Sequence, residues 1–212
     1  MSTRTEIAAL KVRWTPEALS AADRAFTRMD PVASYQGRPP PHPFVSPFGE
    51  HKGRADFRYL ALGVIPAYRR FEQADLTGAT DERNGQLCCS LIDCLVDRAS
   101  METNLGEKLV QNTSFVNAKF SHTSLRGQFI DCDFSNTNLT YSGAAQGKFT
   151  RCNFSGAKFV GARLQYCLFD NCIWTDAKLG NVAFGNGRFI GSCPSADQLA
   201  DAMYPKATFE GC

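Results

Sequence analysis

An apolar residue returns at almost every fifth position of the chain, and a small residue usually stands two places before it. The central positions from Leu105 to Phe189 number eighteen, and all of them are apolar. The spacing falls to four residues twice, between Met101 and Leu105 and between Leu125 and Phe129. A period of five fits neither the 3.6 residues of an α-helical turn nor the two-residue alternation of a strand. The pattern therefore predicts a repeat architecture whose backbone turns a corner every five residues.

The same kind of central residue returns after four such units. Phe129, Phe149, Phe169 and Phe189 each lie 20 residues apart in the sequence. This spacing predicts coils of four units whose inward side chains stack into a dry, close-packed column. About six coils at ~4.8 Å per layer would form a rod about 30 Å long. The expected core side chains are Phe115, Phe120, Phe129, Phe134, Phe149, Phe154, Phe159, Phe169, Trp174, Phe184 and Phe189.

The segment before the repeat, residues 1–53, carries different signals. Thr15 as N-cap and Pro16 at the first helical position predict one helix. Five prolines between residues 36 and 48 predict an extended, irregular stretch after it. The repeat is then expected to span 54–193, with a lead-in strand from residue 54.

The expected C-terminal cap covers residues 194–212. Ser195 and Gln198 form the pattern of a capping box, which predicts a short helix followed by a strand at 207–209. Leu199, Tyr204 and Phe209 also lie on the five-residue register, so a further coil is the competing interpretation. Within the repeat, residues 79–86 break the rule and predict a loop or irregular turn.

The cysteines indicate packing. Of nine cysteines, six lie in the row of small residues, and Cys212 would join them if the register continued. Buried thiols used as small apolar groups fit a reducing compartment. The first residues lack the apolar core of a signal peptide, and no run reaches the ~18 apolar residues of a membrane helix, so we expect a cytoplasmic protein without membrane contact. Cys88, Cys89 and Cys94 lack a histidine or second cysteine pair nearby, and no metal site is expected.

Charge is unevenly distributed although the formal net charge is only +2. Residues 72–107 hold eight acidic side chains against Arg83 and Arg98, whereas residues 126–190 hold seven basic side chains against four acidic ones. The rod is therefore expected to be electrically polar along its axis. The candidate partner-binding residues are Asp93, Asp97, Glu102 and Glu107 in the acidic part and Lys158 and Lys178 in the basic part.

Nothing in the sequence indicates catalysis. His42, His51 and His122 are scattered, and the nucleophile-elbow, P-loop and zinc-protease motifs are absent. A core of inward apolar residues also leaves no concavity for converging titratable groups. We therefore expect no catalytic residue, no cofactor and no enzymatic activity.

Three units show the repeat most clearly: residues 157–161 (AKFVG), 132–136 (CDFSN) and 177–181 (AKLGN). They match the A(D/N)LXX motif and resemble the pentapeptide-repeat family, and the likeness covers about two thirds of the chain. The resemblance implies an all-β solenoid, a right-handed quadrilateral parallel β-helix. Around it we expect a small N-terminal helical and irregular extension and a short C-terminal capping helix.

The resemblance and the charges together leave three hypotheses for function. The first is a non-enzymatic scaffold that shields or neutralises a protein partner such as a toxin, in an immunity or self-protection role. The second follows from the family's quinolone-resistance members: a DNA mimic that binds DNA gyrase or topoisomerase IV, which requires acidic charge along the whole rod. The third, a nucleic-acid binder using the basic coils, is disfavoured because no outward aromatic platform is expected. The resemblance leaves a monomer or a homodimer through the C-terminal end.

Overall fold

The computed structural model describes residues 3–27, 45–63, 70–83, 87, 90–102, 104–105 and 109–212. The helices are α1 (Arg4–Val12), α2 (Pro16–Thr27) and α3 (Ala196–Leu199). The strands are β1 (Glu50–His51), β2 (Arg54–Asp56), β3 (Arg70–Glu72), β4 (Ala74–Asp75), β5 (Ser90–Ile92), β6 (Asn104–Leu105), β7 (Leu109–Gln111), β8 (Ser124–Leu125), β9 (Gln128–Ile130), β10 (Lys148–Thr150), β11 (Leu168–Asp170), β12 (Arg188–Ile190) and β13 (Thr208–Glu210).

The strands stack in parallel, one from each coil, into a right-handed quadrilateral β-helix. The main sheet has eight strands in the order β13-β12-β11-β10-β9-β7-β5-β3. Single-residue bridges repeat the same stacking on the other sides. We name the four sides by their inward residues: face 1 (Phe129, Phe149, Phe169), face 2 (Phe134, Phe154, Trp174), face 3 (Leu139, Phe159, Leu179) and face 4 (Ala144, Leu164, Phe184).

The corners between faces explain the five-residue period. At most corners the second residue after the central one has a positive φ, as at Asn136 (57°) and Gly161 (68°). The next N–H then reaches back to the central carbonyl, as from Ala157 to Phe154 (2.9 Å). This is the geometry of a type II turn, which needs a left-handed residue at its third position. Each unit thus supplies three extended residues and a two-residue corner.

The inward rings form continuous columns. On face 1 the ring of Phe149 lies 4.9 Å from Phe129 and 5.2 Å from Phe169, within about 12° of parallel. Phe189 continues the column at 5.0 Å, and Phe209 at 4.9 Å. The eleven side chains expected in the core are each at most 4% exposed. Close contact between stacked rings adds to the backbone hydrogen bonds that hold neighbouring coils together.

The two shortened spacings produce coils of 19 residues. On face 1, Leu91 pairs with Val110 and Val110 with Phe129, whereas Phe129 pairs with Phe149 after 20 residues. The missing residue is removed at the edge of face 4, where β6 and β8 pair directly. The ladders on the other faces continue unbroken past both places.

The rod has about seven coils instead of the expected six. Residues 54–63 already form two sides of a further coil, because Ala55 pairs in parallel with Ala74 and Ala61 with Thr80. β2 also pairs antiparallel with β1, which belongs to the segment before the repeat. The expected lead-in strand from residue 54 thus stacks on the coil that follows it.

Two helices precede the first coil, where the sequence predicted one. Helix α1 begins with a capping box formed by Thr3 and Glu6, a local signal that the five-residue period does not reveal. Trp14, between the helices, stacks on Phe57 at 6.3 Å and meets Phe48 edge-on at 4.8 Å. Its indole N–H donates to the carbonyl of Arg58 at 2.8 Å. Trp14 thus covers the aromatic column of face 2 at its open end.

A buried carboxylate joins this cap to the rod. Asp56, 3% exposed, accepts two hydrogen bonds from Arg13 (2.6 and 2.8 Å) and two from Arg58 (2.8 and 2.9 Å). Burial alone would raise the pKa of Asp56, but the bonds from Arg13 and Arg58 outweigh it and hold that pKa well below its usual range. Arg13 also lies 4.1 Å from the ring centre of Phe48.

The C-terminal end combines both sequence interpretations. The capping box of Ser195 and Gln198 begins helix α3, as predicted, and a strand follows at β13. The Gln198 amide donates to the carbonyls of Trp174 (2.6 Å) and Ala177 (3.1 Å), the positions that the next coil would otherwise bond. The five-residue register also resumes, because Met203 bridges to Ala183.

One expectation about the cysteines is wrong. Cys94, Cys132, Cys152, Cys167 and Cys172 are buried, but Cys212 is exposed and forms a disulfide with Cys193, with the Cα atoms 5.5 Å apart. Several other expectations concern His42, Cys88, Cys89, Glu107, residues 36–44 and residues 84–86, which lie outside the described residues.

Replacement of Phe169 by alanine should destabilise the rod by about 3–5 kcal/mol, because the ring contacts both neighbours in the face 1 column. Thr175 lies at the exposed corner that follows Trp174 on face 2, so Thr175→Ala should change the free energy of unfolding by less than about 0.5 kcal/mol. Urea unfolding measured on both variants tests this. Equal losses would contradict the inward assignment.

Asp56→Asn should destabilise the protein by about 3 kcal/mol at neutral pH, because Arg13 and Arg58 lose the carboxylate between them. The folded pKa of Asp56 is lowered, so its contribution is present above the unfolded pKa of about 3.9 and is lost as the pH falls toward the folded value. The difference in unfolding free energy between wild type and variant should therefore shrink below about pH 4. Asp201→Asn, an exposed control, should show almost no difference at any pH; a pH-independent loss in D56N would refute the ion-pair account.

Candidate interaction faces

The outward residues of each face lie on either side of the central inward residue. One row precedes the central position and the other follows it, so each face presents two parallel rows with one residue per coil. In a strand, neighbouring residues point to opposite sides, which places both rows outside whenever the central residue is inside. A molecule that binds a side of the rod would meet these rows and the corners between them.

A row of thiols lies beneath the corner that follows face 1. The Sγ atoms of Cys132, Cys152 and Cys172 each donate at 3.4 Å to the carbonyl of the central face 1 residue one coil earlier. Burial raises the pKa of Cys94 and of Cys167 to about 12, which keeps these thiols protonated. Cys94 and Cys167 therefore offer no reactive thiolate, and Cys132, Cys152 and Cys172 serve the rod as hydrogen-bond donors.

The acidic candidate residues do not share one surface. Asp93 lies at the corner after face 1 and accepts a bond from the Asn112 amide at 2.5 Å. Asp97, on face 2, accepts from the Ser114 hydroxyl (2.5 Å) and the Val116 N–H (3.0 Å). Both carboxylates are thus engaged within the rod. Glu107 lies outside the described residues.

Face 3 brings the remaining candidates together. Lys158 and Lys178 bridge directly between neighbouring coils, as the sequence predicted, and both are exposed. Glu102 is exposed on the same face, three coils before Lys158. Face 3 therefore carries both signs of charge, at opposite ends of the rod.

Face 4 has the lowest relief. Its preceding row is Ser124, Gly143, Arg163, Ala183 and Met203, and its following row is Arg126, Ala145, Gln165, Gly185 and Pro205. Neither row contains an acidic residue, and Arg126 and Arg163 are exposed. This face is consequently flat and positively charged.

A tyrosine stands at each edge of face 4. Tyr141 is 60% exposed and Tyr166 is 61% exposed. Both have a left-handed backbone, with φ of 58° and 59°, at corner positions that Asn, Asp or Gly usually fill in this chain. Tyr141 stacks with His122 at 5.4 Å, and a Cβ at Gly161 would overlap its ring. The expectation that no aromatic side chain lies outside beside the basic residues is therefore wrong.

The other histidine in the described residues serves the fold. His51 Nδ1 lies 2.6 Å from Asp75 Oδ2, and Asp75 is fully buried. No group of three or more His, Cys, Asp or Glu side chains with the spacing of a metal site occurs in the part of the chain that is described. Across the same ranges, no helix combines the length and apolar content that crossing a bilayer requires.

The repeats themselves identify the chain. A family model described as pentapeptide repeats matches residues 128–156 and 144–173, with eight copies. This part of the chain consists of pentapeptide repeats. The matched units lie where every coil has 20 residues, directly after the second shortened spacing.

Solved structures with similar coils share little sequence with this pentapeptide-repeat protein. A trypsin-treated variant of QnrB1, a plasmid-mediated fluoroquinolone resistance protein, is 15% identical, with a TM-score of 0.38, covering 74% of this chain and 79% of that one. The pentapeptide repeat protein Rfr23 from the cyanobacterium Cyanothece 51142 is 16% identical, with a TM-score of 0.29 and coverage of 58% and 69%. HetL from Nostoc sp. strain PCC 7120, involved in heterocyst differentiation regulation, is 12% identical, with a TM-score of 0.23 and coverage of 74% and 88%. Among curated proteins, no sequence matches significantly.

The sequence analysis did not single out the exposed tyrosines at the edges of face 4. The repeat register had placed Tyr141 and Tyr166 two residues after a central position, but the corner geometry was not considered. A bulky aromatic residue where a left-handed backbone is needed is a signal that the pentapeptide register alone can supply.

Proposed function

We propose that this protein is a non-enzymatic scaffold that binds a protein partner and shields or neutralises it, in an immunity or self-protection role. The observation that supports this most is the pair of exposed tyrosines, Tyr141 and Tyr166, held in a left-handed backbone at the edges of face 4. Bulky residues avoid that conformation, and such strain is kept at sites that serve a function.

The chemistry of face 4 suits a protein surface with acidic groups. Tyrosine and arginine are the residues that most often anchor protein interfaces. Arg163 lies between the two tyrosine edges, and its guanidinium has no acidic partner among the described residues. Gly143, Ala145 and Gly185 leave the backbone between them uncovered by large side chains, so a partner can approach closely.

The rigidity of the rod supports the same proposal. Each coil is held to the next by backbone hydrogen bonds and stacked rings, so the face 4 residues keep fixed spacings without a ligand. A preorganised surface loses little conformational entropy on binding. A shielding protein needs no more than such a surface.

DNA mimicry of the gyrase-protecting kind is the second hypothesis, and the charges do not favour it. The engaged carboxylates of Asp93 and Asp97 lie in the early coils, while Lys158 and Lys178 make a later part of the rod positive. A protein that replaces DNA on a topoisomerase needs negative charge along its length.

A photo-crosslinking amino acid at position 166 should capture one protein partner in the native host, whereas the same group at position 175, exposed on another face, should not. Adding R163E to the position 166 probe should reduce the adduct at least tenfold, because an acidic partner surface would be repelled. The adduct should survive nuclease treatment. Equal capture from both positions, or an adduct lost to nuclease, would count against a protein-binding face 4.

Supercoiling by DNA gyrase, with and without a fluoroquinolone, should be unaffected by micromolar amounts of this protein, since its charge does not resemble that of a duplex. The measurement is a gel assay of plasmid topology. Inhibition of supercoiling, or protection against the drug, would overturn the proposal in favour of DNA mimicry.

A further inference from the structure

One pair of cysteines in the described residues is open to chemistry from solution. Cys193 is half-buried against the edge of the core, and Cys212, its disulfide partner, is exposed. The free cysteines of the described residues are all buried. A thiolate breaks a disulfide by attacking one of its sulfur atoms, so access decides which cysteines take part in exchange. The Cys193–Cys212 bond therefore lies where a thiol in solution can reach it.

The bond closes one coil of the rod. It joins two residues that are 19 positions apart in the sequence, and the loop between them contains helix α3 and strand β13. A cross-link over a loop of this length removes much of the conformational entropy that the segment gains when it opens. The position of the bond is therefore suited to holding this coil against the coil before it.

The second half of this coil, residues 200–212, has few other stabilising contacts. All of these residues are exposed or half-buried, whereas Phe189 in the coil before them is fully buried. The Phe209 ring stacks on Phe189 at 4.9 Å but remains 39% exposed. The Arg188–Glu210 ion pair (3.1 Å) is exposed on both sides, and such pairs add little stability. Segments with few buried contacts open at a lower free energy than the core.

Helix α3, in the first half of the coil, is anchored separately. Leu199 is buried, and the Gln198 amide donates to the carbonyls of Trp174 and Ala177. Neither anchor requires the strand that follows. Helix α3 can therefore stay in place while residues 200–212 open.

We propose that Cys193 and Cys212 form a reversible thiol–disulfide switch, and that reduction of their bond by a dithiol releases residues 200–212 from the rod. One thiolate of the dithiol attacks Cys212 Sγ, and the Cys193 sulfur leaves as a thiolate that takes up a proton. The second thiol of the reagent then displaces the Cys212 sulfur, which is protonated in turn, and the reagent keeps the disulfide. Two electrons and two protons pass to the protein, and oxidation reverses both steps.

Release changes two surfaces of the rod. It uncovers the Phe189 ring and the edge of β12, because Phe209 and β13 cover them in the closed state. An uncovered strand edge can pair with another extended chain. Release also removes Met203 and Pro205, which continue the two rows of face 4. The switch itself does not depend on which partner face 4 binds.

Hydrogen–deuterium exchange of the full chain, followed by mass spectrometry of its peptides, tests the proposal. Peptides from residues 203–212 should exchange at least tenfold faster after treatment with dithiothreitol, because the bond no longer limits opening. Peptides from β10 and β11 should not change, since each of these strands lies between two paired strands. Removal of the dithiol and reoxidation should restore the slow exchange.

The C193S/C212S variant should show the fast exchange with and without the dithiol. The matched control C132S/C152S should respond as the wild type does, because Thr113 makes the same kind of bond with a hydroxyl in the same row. Equal exchange in the oxidised and the reduced wild type, with the bond state checked by peptide mapping, would overturn the proposal. A bond that resists the dithiol would do so as well. So would an equal acceleration in β10 and β11, since the bond would then support the whole rod.

Discussion

Every coil of this rod depends on left-handed residues at its corners. Such a residue lets the chain turn within two positions and close the corner with a hydrogen bond, as from Ala157 to Phe154. It also fixes which residues point inward, because the three extended residues between corners alternate about one central side chain. The columns of rings, the outward rows and the direct opposition of Lys158 and Lys178 all follow from this one turn. Some corners use bulky residues where Asn, Asp or Gly would adopt a left-handed backbone at lower cost, among them Tyr141, Tyr166 and Arg151.

The sequence was most informative where the period is regular. From residue 129 onward the central residues, the four-unit coil and the C-terminal capping box could be predicted, since each depends on local spacing. The family model likewise matches only residues 128–173, because the two preceding coils have 19 residues and the five-residue register shifts there. Helix α1 was missed because no apolar period marks it, although Thr3 and Glu6 carry a capping signal. The Cys193–Cys212 disulfide depends on where the last coil ends, and spacing alone does not contain that information.

Charge could be counted from the sequence, but its meaning required the coil geometry. The acidic and basic halves suggested a rod with two poles. The structure divides those charges differently: Asp93 and Asp97 are bonded within the rod, Asp56 fastens the N-terminal cap, and Glu82, Glu102, Lys158 and Lys178 share one face. Although the net charge of the chain is near zero, face 3 carries acidic and basic side chains at defined positions along the rod axis. Each coil adds one layer to the rod, so charges in different coils are separated by a whole number of layers along the rod axis. Insertion of a complete coil would therefore preserve the fold and shift the charges relative to each other.

The buried thiols give the rod a property of a different kind. Cys94, Cys132, Cys152 and Cys172 lie in four coils along one corner, and each donates its S–H to a carbonyl of the coil before it. While the coils are stacked, an alkylating reagent reaches none of these buried sulfur atoms. A coil that opens exposes its own thiol and no other. The set of cysteines that have been alkylated therefore reports the order in which the coils of the solenoid unfold.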